Sequence, residues 1–203
     1  MPDVRVVWVD AGNDDDPAKL KPLGAVPAFD VREPRLTREY LSQRFQSYGA
    51  VYVYAAASWY PSLGGKGFAT AASQRLSTIM DGPSAPDFPS VCLDIETDDI
   101  RGYLLPALTQ WRKHRADRVT DLTIEGHKGG LFTAADVINT VAKVRYVLPQ
   151  CYNGAMTQVW DSFAMAYDLW DAGFPVAKVR PFYDAAHLPE WWDGYAFTQG
   201  SLP

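Results

Sequence analysis

Cysteine and histidine are scarce in this chain: 203 residues include two of the first and three of the second. Cys92 and Cys151 stand in no metal-type spacing, and two cysteines build no disulfide framework. Cys92 lies inside an apolar run, which predicts a buried free thiol. An excess of cations is also missing. Nineteen Lys and Arg against 24 Asp and Glu give a net charge of −5, which leaves no electrostatic footprint for nucleic acid. The one basic cluster, WRKHR at 111–115, reads as a helix C-terminus, where cations oppose the macrodipole. No apolar run approaches the length of a membrane span, so no membrane partner is expected. The opening MPDVRVVWVDAG enters a strand with no signal-peptide pattern before it, so no secretory signal is expected. No glycine-rich fingerprint follows that strand, and GGK near residue 65 lacks the full phosphate-loop spacing.

What the chain has is ordinary globular composition, 47% apolar and 21% charged, with seven Trp and eleven Tyr. It also has SVCLDIET, residues 90–97, an apolar run ending in two carboxylates. Residues i and i+2 of a strand share a face, so Asp94 and Glu96 are expected on one side at the strand's C-terminal end. The competing reading makes them caps of the helix that follows in TDDIRGYLLP.

The rest of the chain alternates strands and helices. Strands are predicted at 4–12, 25–31, 50–59, 90–97, 119–130, 146–154, 177–187 and 194–201. The segment 12–24 reads as a loop. Thr37 caps a helix running to Tyr48 and closed by Gly49. PSLGGKGF reads as a flexible loop, followed by a helix from Ala69 to Met80. A helix over 99–115 carries Pro106, which marks a first turn or a kink. Thr133 caps another helix, and a strongly apolar helix spans 155–171. Pro149 is awkward in a central strand. Such alternation predicts parallel strands with right-handed crossovers. Eight closely spaced strands predict an α/β fold, a compact (β/α)8 barrel of the TIM type, with the first helix degraded and the last missing. An open doubly wound sheet is the alternative. No linker or repeat divides the chain, so residues 1–203 read as one domain.

Asp10, Asp30, Asp94, Glu96, Glu125 and Asp184 all fall at predicted strand C-termini, which converge on one face of a barrel. Acids gathered there repel one another and raise some of their pKa values, the condition a general acid needs near neutral pH. With Asp10 ending the first strand in VDAG, the D-x-E of LDIET and the late YAFTQGS, the chain resembles the lysozyme-like glycoside hydrolases of family 25. It is similar, more loosely, to family 18 and other glycoside-hydrolase-like barrels. It departs from the first family in its missing first helix, secretion signal and wall-binding repeats.

The resemblance implies a glycosidase hydrolysing an N-acetylated polysaccharide such as peptidoglycan. Glu96 is then the general acid, Asp94 orients or stabilises the reacting N-acetyl group or the developing cation, and Asp10 supports both. Glu125, Tyr54, Tyr152, Tyr183, Asp184 and Gln199 are candidates to bind substrate. No cofactor and no metal are implied. The unsignalled chain suggests, by analogy, a phage-encoded or actinobacterial protein acting at the cell wall or in a virion, with phage structural partners. Two other readings stand beside it. One is a carbohydrate-binding or structural module on a decayed glycosidase barrel. The other is a metal-dependent hydrolase using Asp10, Glu125, His127 and Asp184, which three histidines support poorly.

Overall fold

A computed structural model describes residues 5–9, 17–80, 90–125, 135–150, 171, 173, 176–180, 182–184 and 195–197. Eight strands close into a barrel in chain order: β1 Arg5–Val9, β2 Ala25–Asp30, β3 Tyr52–Ala56, β4 Ser90–Asp94, β5 Thr120–Glu125, β6 Val147–Gln150, β7 Phe182–Asp184 and β8 Tyr195–Phe197. Every neighbouring pair is parallel. Val6, Val7 and Trp8 of β1 lie in register with Tyr195, Ala196 and Phe197 of β8, which closes the ring. The fold is therefore the TIM-type barrel expected from the alternation of elements, and the open-sheet alternative is set aside.

Among the described residues, α-helices pack outside: α1 Pro17–Leu20, α2 Arg38–Tyr48, α3 Gly65–Met80, α4 Leu105–Arg115 and α5 Ala135–Val141. Strands buried on both faces read as nearly unbroken apolar runs, as in RVVWV and SVCLD. Their outward residues, including Val7, Phe29, Val53, Leu93 and Ile124, join Leu41, Phe68, Leu76, Leu108 and Trp111 of the helices in the larger core. Their inward residues form a separate core of Val6, Trp8, Val26, Ala28, Tyr52, Cys92 and Leu148. Val6, Trp8 and Cys92 thus point inward. Thr123 joins them, fully buried and 3.0 Å from the Cys92 sulfur.

Several local predictions hold. The Thr37 hydroxyl accepts from the Tyr40 N–H at 3.2 Å, and Gly49 ends α2 at φ 75°, a left-handed conformation suited to glycine. Four basic residues, Arg112 to Arg115, occupy the last turn of α4. Pro106 sits in the first turn of α4, and a π-helical turn, Ile100–Leu104, leads into it. Pro106 has no N–H to give to the residue 102 carbonyl, so an ordinary α-turn cannot continue across this junction. Asp99 caps the π-turn, its carboxylate accepting from the Gly102 N–H at 2.7 Å.

Two segments differ in type from the sequence reading. The 12–24 loop contains α1 and a 3-10 turn, Lys21–Leu23, closed by Gly24 at φ 62°. Leu20, fully buried, draws this short segment onto the barrel despite its polar composition. The supposed flexible loop PSLGGKGF starts α3 instead, at Gly65, because Gly65 packs directly against the backbone of Tyr103 and Ala107. Strand β6 includes Pro149, in register with Ile124. Having no N–H, Pro149 limits the ladder on that strand. The β6–β7 contact rests on Gln150 opposite Phe182 and on an isolated bridge between Val147 and Val179. The predicted cap Thr133, most of the 155–171 helix and everything after Phe197 lie outside the described residues. No helix among the described residues is long and apolar enough to cross a membrane.

Candidate active site

The C-terminal ends of β4 and β6 bring three polar side chains together. Asp94 is the last residue of β4, inward-facing and 9% exposed. Glu96 follows two positions later and is exposed. Between them lies Ile95, turned into the outer core. That alternation places both carboxylates on one side. Gln150, the last residue of β6, reaches across β5 to both. Its amide nitrogen donates to Asp94 Oδ1 at 3.3 Å and makes a short contact with Glu96 Oε1.

The electrostatics follow from this placement. Burial pushes the Asp94 carboxyl well above the usual carboxylate range, and the negative charge of Glu96 raises it further. Below Asp94 on the same strand lies Cys92, also pushed well up by burial. The floor under Asp94 is thus a neutral thiol bonded to the Thr123 hydroxyl. Helix capping does not consume the pair. Thr97 accepts from the Asp99 N–H at 3.0 Å and Asp99 caps the π-turn, so the residues after Glu96 serve the helix.

Aromatic rings stand beside this cluster. Tyr54, inward-facing on β3 and opposite Cys92 in register, stacks on Trp8 with ring centroids 3.9 Å apart and planes 6° apart. Trp59, in a 3-10 turn after β3, lies 5.5 Å from Tyr54. The Arg32 guanidinium covers Trp59 at 3.6 Å and pairs with Asp30 at 2.9 Å. Asp30 also accepts from the Arg32 backbone N–H. Asp30, one of the six strand-end acids, is therefore neutralised within its own loop.

Of the predicted site residues, the described structure brings Asp94 and Glu96 together and places Tyr54 one inward step below Asp94 on the neighbouring strand. Asp10, Tyr152 and Gln199 lie outside the described residues. Glu125, Tyr183 and Asp184 occupy the ends of β5 and β7, and only their backbones are described. The sequence reading missed Gln150. Its signal was present but unused: it ends a strand just as Asp94 does, in YVLPQ. Among the described residues no group of three or more His, Cys, Asp or Glu is arranged to hold a metal ion.

No protein-family model matches the sequence, and no curated protein matches it. Solved structures do match its fold. An endo-β-N-acetylglucosaminidase from Cordyceps militaris aligns over 97% of this chain and 80% of its own, with a TM-score of 0.56 and 10% identity. A chitinase catalytic domain from Pyrococcus furiosus aligns over 97% and 84%, at the same TM-score and 14% identity. The Cordyceps enzyme has also been solved bound to fucosyl-N-acetylglucosamine-Asn, as a variant in which an aspartate and a glutamate two positions apart are replaced by their amides. Active domain 2 of the Pyrococcus chitinase has been solved as catalytic-site mutants with chito-oligosaccharides. At these identities the likeness establishes the fold alone, a (β/α)8 barrel of the TIM type.

Proposed function

We propose that this protein is a glycosidase acting on glycans of N-acetylated sugars, with Glu96 as the general acid. The observation that carries the reading is the Asp94–Glu96 pair, joined by Gln150 at the barrel's C-terminal face. Its D-x-E spacing equals that of the acids replaced in the glycan-bound Cordyceps variant.

Chemistry follows from the pair's electrostatics. Asp94 is buried and raised, so it holds a proton that an exposed carboxylate would release. A substrate acetamide N–H placed over Asp94 favours its ionised form. Glu96 delivers a proton to the departing glycosidic oxygen. The acetamide carbonyl oxygen attacks the anomeric carbon as that bond breaks, so no second carboxylate nucleophile is needed. Asp94 holds the acetamide and offsets the positive charge that develops. Water then opens the cyclic intermediate, with Glu96 taking its proton.

In this reading Asp10 supports the pair. Glu125, Tyr54, Tyr152, Tyr183, Asp184 and Gln199 line the cleft, and residues 1–203 act as one domain. Peptidoglycan is the proposed natural polymer and a lytic or virion-associated role the proposed setting. The test is release of reducing ends from purified peptidoglycan and from chito-oligosaccharides. Turnover of either supports the reading. Binding without turnover on both substrates overturns it in favour of a non-catalytic carbohydrate-binding module.

A further inference from the structure

The loop that carries Glu96 is short and anchored at both ends. Ile95 donates its N–H to the Thr123 carbonyl at 3.1 Å, and Ile95 and Ile100 are both buried in the outer core. Glu96 to Asp99 bridge the two, so any slack in these residues moves Glu96. Its carboxyl is exposed, and its hydrogen-bond partner among the described residues is Gln150. The rest of its orientation must come from the loop.

Asp99 ties that loop together. Its N–H donates to the Thr97 hydroxyl at 3.0 Å. Its carboxylate accepts from the Gly102 N–H at 2.7 Å. Its carbonyl accepts from the N–H groups of Tyr103 and Leu104, at 2.9 and 3.2 Å, the second closing the π-turn. Two glycines permit this packing. A Cβ on Gly102 would overlap the Asp99 carboxylate, and a Cβ on Gly65 would overlap the Tyr103 carbonyl. The π-turn is therefore held by Asp99 from within and by the start of α3 from outside. Capping the turn needs only the carboxylate bond to Gly102. The bond from the Asp99 N–H runs the other way, to the residue beside Glu96.

We infer that Asp99 is a positioning residue for the general acid. Through Thr97 it sets the direction of the chain at Glu96, and so the reach of the Glu96 carboxyl toward the departing oxygen. This rests on the glycosidase reading and adds to it a residue outside the carboxylate pair. A misplacement of about 1 Å costs as much as about 10²-fold in rate, so a loosened loop is visible in turnover.

Two kinds of substrate separate positioning of the acid from support of the fold. The first is an unsubstituted glycan, chito-oligosaccharide or peptidoglycan, whichever the wild type cleaves. Its alkoxide leaving group needs the proton from Glu96. The second is a dinitrophenyl glycoside of an N-acetylglucosamine oligomer, whose leaving group is stable as an anion and departs without a proton. Asp99→Ala should lower kcat on the first by about tenfold or more. It should leave kcat on the second, and KM on both, nearly unchanged. Asp99→Asn should restore turnover of the first, because an amide oxygen accepts from the Gly102 N–H as a carboxylate does. If a melting curve shows Asp99→Ala unfolded at the assay temperature, Thr97→Val carries the same comparison, since it keeps the cap and removes the bond toward Glu96. An unchanged kcat on the glycan overturns the inference. So does an equal loss on both substrates, which marks Asp99 as structural. Either result, with an active wild type, leaves the glycosidase reading standing. A wild type that cleaves none of these substrates overturns that reading and this inference with it.

Discussion

The Gln150 amide donates to Asp94 Oδ1 across 3.3 Å, from a strand two places away around the barrel. The same nitrogen contacts Glu96. One neutral donor therefore sits between two acids that would otherwise repel each other. It stabilises the ionised forms and orients both carboxyls without adding charge.

Glu96→Gln should lower glycan turnover by about 10²–10⁴-fold, the range of general acid catalysis. The amide keeps the side chain's size but has no proton to deliver. Glu96 is exposed, so melting temperature and glycan affinity should hardly change. Turnover measured beside calorimetric binding checks this, and an unchanged rate removes Glu96 as the acid.

Gln150→Ala should slow turnover by roughly tenfold or more, since a hydrogen bond to a charged group is worth about 1.5–3 kcal/mol. Losing the donor leaves the two carboxyls unoriented, so the loss should fall on kcat, with glycan affinity nearly unchanged. A variant whose kcat matches the wild type would show that Gln150 has no part in positioning the pair.

Asp94→Asn should change how stability depends on pH. Burial first, and Glu96 second, raise the Asp94 pKa in the folded protein. An unfolded chain releases this proton near pH 4, while the folded chain retains it. The wild type binds more protons folded than unfolded across that window, so its stability falls as pH rises from about 4 through the folded pKa. Asparagine does not titrate. The melting-temperature difference, variant minus wild type, should therefore grow with pH over that window, and a flat difference contradicts the raised pKa.

Gly65→Ala should destabilise the fold by about 1–3 kcal/mol, the usual cost of overpacking. A Cβ there would overlap the Tyr103 carbonyl and lie 3.1 Å from the Ala107 nitrogen. At Gly64 a Cβ meets nothing within 4 Å. Denaturant unfolding should thus separate two adjacent Gly→Ala changes, the first costly and the second nearly neutral. Equal effects would mean that α3 does not pack on the π-turn as described.

Cys92 should resist alkylation in the native state. It is fully buried, and burial raises its thiol pKa, so little reactive thiolate is present at pH 8. In a Cys151→Ser background, labelling should appear with unfolding in urea. Rapid labelling without denaturant would place Cys92 at the surface.

The sequence by itself determined the barrel and one pair of its candidate site residues, because these depend on short-range pattern. Alternation along SVCLDIET decided that Asp94 and Glu96 share a side, and the same alternation turned Val6, Trp8 and Cys92 inward. Thr37 and Gly49 marked both ends of α2, since caps satisfy backbone groups within one turn of the chain. Only the tertiary structure decided what depends on closure of the ring. Gln150 lies 54 residues from Glu96, and no local pattern connects them. Asp30 looked like a site acid until Arg32 was seen to neutralise it. The start of α3 was hidden because GGK has turn composition, and what makes it helical is a close approach to Tyr103, 38 positions later in the chain.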